Sequence, residues 1–569
     1  MKVVPGVKMV GSYERAWLPK DIVAGLVLTA ILVPQGMAYA ELAGLPAVTG
    51  LYTSILCLVG YAVFGPSKIL VLGPDSSLGP MIAATILPLL GAGGDPARAI
   101  ALASMLALMT GAIMLLAGIV KLGFVADLLS KPTMIGYMNG LALTILVGQL
   151  PKLFGFSVDA DGFVQELKGF ISGLLNGETV PAALAVGVGA LLVIVILQRA
   201  WPKVPAVLVA VVLSIVATSL FALEAHGVSL VGGLPQGFPP FTIPDVSLSD
   251  LPLLLGGALG IALVALTDTI STASAFAARS GDEIDGNKEM VGIGAANIAA
   301  GFFQGFPVST SGSRTAVAEQ AGAKTQVAGL VGALMIALML LFVPDLLANL
   351  PQPTLAAVVI AASVTLADIP ATRRLYRQRK TEFWLCMSAF LGVVFLGVLP
   401  GIGIAILLSI GNVFRRSWWP YQAELGRVSG IPGYHDMAMY PDAERLDGCV
   451  IFRFDAPLFF ANARTFREQV RGLAKSDPLP RWIVVASEPI TDVDTTAADM
   501  LEDLDEDLNA RGINLIFAEM KDPVRGKIER YGLTRTIEAA HFFPTIEAAI
   551  SAFQQETGAS WSLPPREEP

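Results

Sequence analysis

Between residues 21 and 416 the chain is a close succession of apolar runs, many of them about 20 residues long, the length that crosses the hydrocarbon core of a bilayer. In that medium every backbone polar group must be paired within its own segment, so such runs fold as helices. Full-length runs lie near 21–42, 96–120, 179–199, 204–223, 251–275, 325–344 and 381–399. Shorter runs, or runs broken by glycine and proline, lie near 49–64, 73–91, 124–150, 286–304, 307–322, 352–368 and 401–416. Together they predict an α-helical polytopic membrane protein of fourteen spans. Composition agrees, with 54% hydrophobic residues, 15% charged residues and a mean hydropathy of +0.65.

The broken runs at 73–91 and 307–322 each stand third in a set of seven, the pattern left by an inverted repeat whose sequence identity has faded. One begins Leu70-Val-Leu-Gly-Pro-Asp-Ser-Ser-Leu-Gly-Pro80, the other Phe306-Pro-Val-Ser-Thr-Ser-Gly-Ser-Arg-Thr-Ala-Val317. Each is a short extended stretch that passes through small hydroxyl residues into a helical pattern. Two half-helices meeting in the bilayer would bring hydroxyls, free backbone N–H groups and positive dipole ends to one point, with Arg314 beside it. Such a point suits an anion.

The loops test the topology, because basic residues gather on the cytoplasmic side. Lys2, Lys8, Arg15 and Lys20 precede the first run, and no small-residue cleavage site follows, so that run is expected to be retained as a span. Lys68, Lys121, Arg199, Lys203, Arg279, Lys288, Lys324 and the dense Arg373–Lys380 then fall on the same side as the amino end. The opposite loops hold little beyond Arg98, Lys152 and Lys168, and residues 224–250 contain no Lys or Arg. Both termini are therefore expected in the cytoplasm of a cell whose plasma (inner) membrane holds the chain.

After Arg415-Arg416-Ser-Trp-Trp-Pro420 the composition becomes that of a soluble domain. Strand-like runs at 449–454, 482–486 and 513–517 alternate with helical patterns near 462–475, 495–511 and 522–532, the signature of a small α/β module. The expected division is a cytoplasmic segment 1–20, a transport domain 21–416, a linker 417–445, the α/β domain 446–556 and a disordered tail 557–569.

Several functions are disfavoured. A net charge of −9 argues against nucleic acid as a partner. Cys57, Cys386 and Cys449 have no metal or redox spacing, and His226, His435 and His541 fall in loops or in the polar domain, so no metal and no intramembrane imidazole is expected. No Walker-type phosphate loop is present, so ATP is not expected to drive the protein directly. An enzyme and a cofactor are not expected either.

Three features stand out within the apolar part. Gln35 and Tyr39 lie four residues apart on one helix face, where they either donate to an oxyanion or hold a neighbouring helix. Asp268 lies deep in an apolar run and needs a cation there: a proton, sodium or Arg314. Ser76, Ser77, Ser309, Thr310, Ser311 and Ser313 supply the hydroxyls around the two breaks, and Asp75 is expected to cap the first half-helix. An oxyanion leaving water needs several donors at once, and opposed helix ends supply them while still allowing release. Arg314 provides the counter-charge. Binding a dianion is then easier once Asp268 is neutralised, which gives coupling to a cation.

Four motifs in order, Val33-Pro-Gln-Gly-Met-Ala-Tyr-Ala-Glu-Leu-Ala-Gly-Leu-Pro46, the Leu72-Gly-Pro-Asp-Ser-Ser77 turn, Asn287-Lys-Glu-Met-Val-Gly-Ile-Gly-Ala-Ala-Asn297 and Ser311-Gly-Ser-Arg-Thr315, resemble the SulP family of anion permeases, also called solute carrier family twenty-six. The likeness covers nearly the whole chain. It implies two inverted seven-helix repeats divided into core and gate domains, an anion site framed by the third and tenth helices, a cytoplasmic STAS domain, and a homodimer working by elevator-like movement. Gln35, Tyr39 and Arg314 together resemble the sulfate-transporting members, whereas an aspartate at the place of Asp268 is shared with bicarbonate transporters. Asp492-Val-Asp-Thr-Thr-Ala497 is similar to a phosphorylated loop of STAS-containing regulators, which would make Thr495 or Thr496 a regulatory site, the alternative being a plain helix cap.

The expected function is thus proton-coupled uptake of an inorganic oxyanion, sulfate first. The substrate-binding residues are Gln35, Tyr39, Ser76, Ser77, Ser309, Thr310, Ser311, Ser313 and Arg314, with Asp268 for coupling. The rivals are sodium-coupled bicarbonate or dicarboxylate transport, anion exchange, a channel or voltage-responsive motor, and a signalling receptor whose membrane part senses the anion.

Overall fold

The computed structural model describes residues 5–90, 94–123, 130–158, 160, 162–201, 204–280 and 284–562. The chain forms two compact units, residues 1–410 and 411–569.

The first unit is helical. Its main elements are α1 (Leu18–Leu42), α2 (Ala47–Phe64), β1 (Leu72–Gly73), α3 (Gly79–Leu90), α4 (Pro96–Ile119), α5 (Lys131–Phe154), α6 (Pro181–Ala200) and α7 (Ala206–Phe221). There follow α8 (Leu251–Ser280), α9 (Gly286–Gly301), β2 (Ser309–Thr310), α10 (Gly312–Gln320), α11 (Val327–Phe342), α12 (Gln352–Leu366), α13 (Lys380–Leu396) and α14 (Val398–Trp418). Each apolar run coincides with one of these helices over its described residues, residue 91 and residues 124–129 lying outside them. Among the described residues eight helices are long and apolar enough to cross a membrane by length and composition, and α3, α7 and α11 are shorter apolar helices. Two amphipathic helices, Phe163–Leu175 and Ile369–Gln378, occupy stretches expected as loops.

Helix starts follow the local chemistry. Asp95 caps α4 by accepting from the Ala97 N–H with Pro96 behind it, Asp285 caps α9 and Ser311 caps α10. Helices α1–α4 pack with α8–α11, and α5–α7 with α12–α14, which is the grouping expected of two interleaved repeats. Small residues set the closest approaches. A Cβ on Gly50 would stand 1.9 Å from the Gly36 carbonyl oxygen, so only glycine permits the α1–α2 crossing. Gly111 and Gly294 do the same for α4 and α9, each placing a would-be Cβ under 3 Å from the other's carbonyl.

The second unit is a six-stranded mixed sheet. In chain order its strands are β3 (Gln422–Arg427), β4 (Tyr434–Asp436), β5 (Cys449–Phe454), β6 (Trp482–Ala486), β7 (Asn514–Ala518) and β8 (Phe542–Phe543), arranged β4-β3-β5-β6-β7-β8. The β4–β3 and β3–β5 pairs are antiparallel and the rest parallel. Side chains alternate across the sheet. Phe452, Phe454, Ile483, Val485, Leu515 and Phe517 face the layer of α15 (Ala463–Leu473), α16 (Thr495–Asn509) and α17 (Asp522–Tyr531). Cys449, Ile451, Trp482, Val484 and Ile516 face α18 (Ile546–Thr557).

The stretch 417–445, expected as a linker, therefore supplies two strands of the sheet, and its polar residues suit an edge pair that is wet on one side. The expected disordered tail 557–569 begins at the last residue of α18, with Ser562 hydrogen-bonded to Glu444, and residues 563–569 lie outside the described ones. The Lys2 and Lys203 positions, and the side chains of Lys8 and Arg279, also lie outside them.

Candidate functional site

The two broken runs meet. β1 and β2 form a two-residue antiparallel ladder, Leu72 opposite Thr310 and Gly73 opposite Ser309, in the middle of the helical unit. Bonds on either side extend the contact. The Ser311 N–H donates to the Val71 carbonyl at 3.1 Å, and the Val71 N–H donates to Thr315 Oγ1 at 3.1 Å. Asn297 on α9 clamps the approach to β2, its Oδ1 accepting from the Val308 N–H at 2.9 Å and its Nδ2 donating to the Val308 carbonyl at 3.3 Å. The Phe306 N–H donates to Thr53 Oγ1, and Thr310 Oγ1 bonds Thr269 Oγ1 on α8. Extended backbone at this depth is thus paired within the protein, as low dielectric requires.

From this crossing α3 and α10 diverge, and Arg314 lies in the first turn of α10. Its side chain is 1% exposed and lies over Gly73, where a Cβ would come within 2.8 Å of Nη1. None of Nε, Nη1 and Nη2 has a hydrogen-bond acceptor among the described residues. The nearest carboxylate is Asp75, whose Oδ2 stands 3.7 Å from Arg314 Nη2, close enough for attraction but too long for a hydrogen bond.

Asp75 also has the expected capping contact. Its Oδ1 accepts from the Ser77 N–H at 2.9 Å, and its carbonyl accepts from the Leu78 and Gly79 N–H groups. The backbone donors at the start of α3, expected to be free for a ligand, are therefore partly taken by Asp75. Ser77 Oγ lies 2.7 Å from Asp75 Oδ1 and 3.2 Å from Asp268 Oδ2. Asp268 thus faces Ser77 and Asp75, and the alternative ion pair between Asp268 and Arg314 is replaced by one between Asp75 and Arg314.

The other expected residues arrange themselves around this chain of groups. Tyr39 is 5% exposed, with Ser76 within hydrogen-bonding reach of its hydroxyl and with Asp75 and Arg314 in electrostatic reach. Ser76 is buried. Ser309 is fully buried, and its hydroxyl has no partner among the described residues. Thr310 is held by Thr269, while Ser311 accepts from the Arg314 N–H and touches the Ser313 hydroxyl at 3.1 Å. Gln35 is half-buried one turn before Tyr39 and is not joined to the cluster by a hydrogen bond among the described residues. Sequence reasoning missed Tyr137 of α5, a fully buried phenol in electrostatic reach of Asp268 whose hydroxyl has no partner among the described residues. A polar tip inside an apolar run was the available signal.

In the second unit Thr495 and Thr496 are exposed in the first turn of α16, where Asp494 accepts from the Ala497 N–H as the cap.

Comparison with known proteins agrees with this architecture. Residues 18–389 match the Sulfate permease family and residues 440–549 the STAS domain. A probable sulfate transporter of Mycobacterium tuberculosis is 41% identical over 97% of this chain and 98% of its own length. Sulfate transporter 1.3 of Arabidopsis thaliana is 30% identical over 97% of this chain and 87% of its own. The murine Solute Carrier 26 family member A9 anion transporter, solved in the inward-facing state, superposes with a TM-score of 0.88 at 25% identity over 98% of this chain and 94% of that one. The transmembrane domain of a cyanobacterial bicarbonate transporter shares the fold of the helical unit, with a TM-score of 0.61 at 23% identity over 70% of this chain and 99% of that one. With a family match across well over half of its length, the chain belongs to the Sulfate permease family and carries a STAS domain after its helical unit.

Proposed function

We propose that the protein is a secondary active transporter that takes up sulfate with protons. The observation that carries this reading is Arg314, a buried guanidinium at a helix start whose nitrogens have no hydrogen-bond acceptor among the described residues. A buried cation with unspent donors is costly unless an anion completes it. The Ser309 hydroxyl, the start of α10 and the Tyr39–Ser76 pair supply further donors for the oxygens of a tetrahedral dianion. The relatives named as sulfate transporters favour that dianion over others.

Asp268 is the coupling group. It lies on α8 close to Asp75, so three charges share one site: one guanidinium and two carboxylates. Adding a dianion to two ionised carboxylates is unfavourable, and protonation removes the repulsion. Proton and sulfate therefore each strengthen the other's binding, as linkage requires. Transport follows by elevator-like movement of the α1–α4 and α8–α11 group against the α5–α7 and α12–α14 group. The chain acts as a homodimer with both termini in the cytoplasm, and the STAS domain regulates without forming part of the pathway.

The test is uptake of labelled sulfate by purified protein in liposomes, with unlabelled anions in competition. Saturable uptake that sulfate inhibits better than bicarbonate or a dicarboxylate is expected. Absence of sulfate counterflow would leave a sensor or a motor in place of a transporter.

A further inference from the structure

The reading of Arg314 and Asp268 leaves Asp75 unexplained. A cap needs only one of its carboxylate oxygens, and Oδ1 does that work by accepting from the Ser77 N–H. The second oxygen, Oδ2, points to Arg314, the charge on which the substrate depends. Ser77 adds a constraint. Its single hydroxyl hydrogen faces two carboxylate oxygens, Asp75 Oδ1 at 2.7 Å and Asp268 Oδ2 at 3.2 Å, and can serve only one of them. One proton on Asp268 Oδ2 satisfies both contacts, because Asp268 then donates to Ser77 Oγ while Ser77 donates to Asp75.

We infer that Asp75 is a built-in competitor of the substrate for Arg314, displaced when a proton reaches it from Asp268 through Ser77. This rests on the proposed proton-coupled sulfate transport. In the relay the proton on Asp268 Oδ2 passes to Ser77 Oγ as the Ser77 hydrogen passes to Asp75 Oδ1. Asp268 is left ionised, Asp75 neutral and Ser77 unchanged. A neutral Asp75 no longer balances Arg314, and the guanidinium turns to the incoming dianion. A fresh proton on Asp268 then lowers the remaining repulsion.

Among the described residues, Arg314 faces Asp75 from α10, Asp268 approaches from α8, Tyr39 from α1 lies in reach of Asp75 and Arg314, Cys57 from α2 lies in reach of Arg314, and Tyr137 from α5 lies in reach of Asp268. Arg314 is the cation of the set. A carboxylate that holds it protects the empty site from the cost of a lone buried charge, and it rejects anions that arrive without a proton.

Sulfate affinity of the purified full-length protein, measured by isothermal titration at pH 6 and pH 8, tests this. The wild type should bind at least tenfold more weakly at pH 8 than at pH 6. Asp75→Asn keeps the turn through its amide oxygen, and it should bind several-fold more tightly than the wild type at pH 8, with a smaller pH dependence that belongs to Asp268 alone. Asp75→Glu, checked as folded by monodisperse elution in gel filtration, should restore the pH dependence. Ser77→Ala should slow pH-jump-triggered binding relative to Ser77→Thr, which keeps the hydroxyl. An Asp75→Asn protein that binds weakly at both pH values, or retains the wild-type pH dependence, overturns the competitor role. A wild type that binds no sulfate at any pH sinks the transport reading itself, a separate outcome.

Discussion

Arg314 faces Asp75 at 3.7 Å, and among the described residues Asp268 is joined to that pair by hydrogen bonds through the Ser77 hydroxyl. The site is therefore one guanidinium between two half-helices with two carboxylates at unequal removes. Arg314→Ala should lower sulfate affinity at least 100-fold, in line with about 2–5 kcal/mol for truncating one member of a buried charged contact. Arg314→Lys should fail as well, because an ammonium cannot offer two parallel N–H groups to an oxyanion. Binding titrations on monodisperse protein check both, and near-normal affinity in Arg314→Ala would remove the site from this position.

The glycine crossing of α1 and α2 is a second point of test. Gly50→Val places a Cβ 1.9 Å from the Gly36 carbonyl oxygen, an overlap that neither backbone can relieve without separating the helices. A loss of about 3 kcal/mol or more is expected, seen as a lower unfolding midpoint in detergent. Unchanged stability would mean that the two helices do not approach in this way.

The charge pattern of the loops gives a third. A cysteine placed within 224–250, which contains no Lys or Arg, should react with an impermeant thiol reagent from outside intact cells. One placed within the basic 373–380 should react only after the cells are opened. The reverse pattern would invert the orientation of every helix.

In the STAS domain, burial pushes the Asp505 carboxyl up to about 6, with Glu506 and Glu538 adding to the effect beyond the opposing hydrogen bond from Asn509. Its Oδ1 has no partner among the described residues. An unfolded aspartate titrates near about 4, so the neutral carboxyl favours the fold below that value, and the advantage fades as pH rises through 6. Asp505→Asn should stabilise the 411–569 segment at pH 8 by about 1 kcal/mol, a few degrees in melting midpoint, and change little at pH 4. Equal effects at both pH values would assign the gain to packing instead.

Much of the fold was legible because the bilayer permits few solutions. Over their described residues the fourteen apolar runs each coincide with a helix, and the two breaks, marked by Pro74 and Pro307 before runs of hydroxyl residues, are where the strands pair. The strands at 422–427 and 434–436 were not legible, since their half-buried polar pattern reads as a linker until the antiparallel pairing with β5 is seen. In the site, Arg314 and Asp268 announced themselves as charges in apolar surroundings. The role of Asp75 did not, because a cap and a counter-ion look alike in sequence, and only the placement of α10 over Gly73 shows which carboxylate the guanidinium faces.

The most direct test of proton-coupled sulfate transport is accumulation of labelled sulfate in liposomes under an imposed pH gradient, comparing wild type with Asp268→Asn. The wild type should accumulate sulfate when the outside is acidic and be indifferent to sodium. Asp268→Asn, which has no proton to relay to Asp75, should still exchange sulfate for sulfate at acidic pH, more slowly than the wild type, yet no longer accumulate it against a gradient. Accumulation that follows a sodium gradient at constant pH, with the pH gradient inert, would contradict the account.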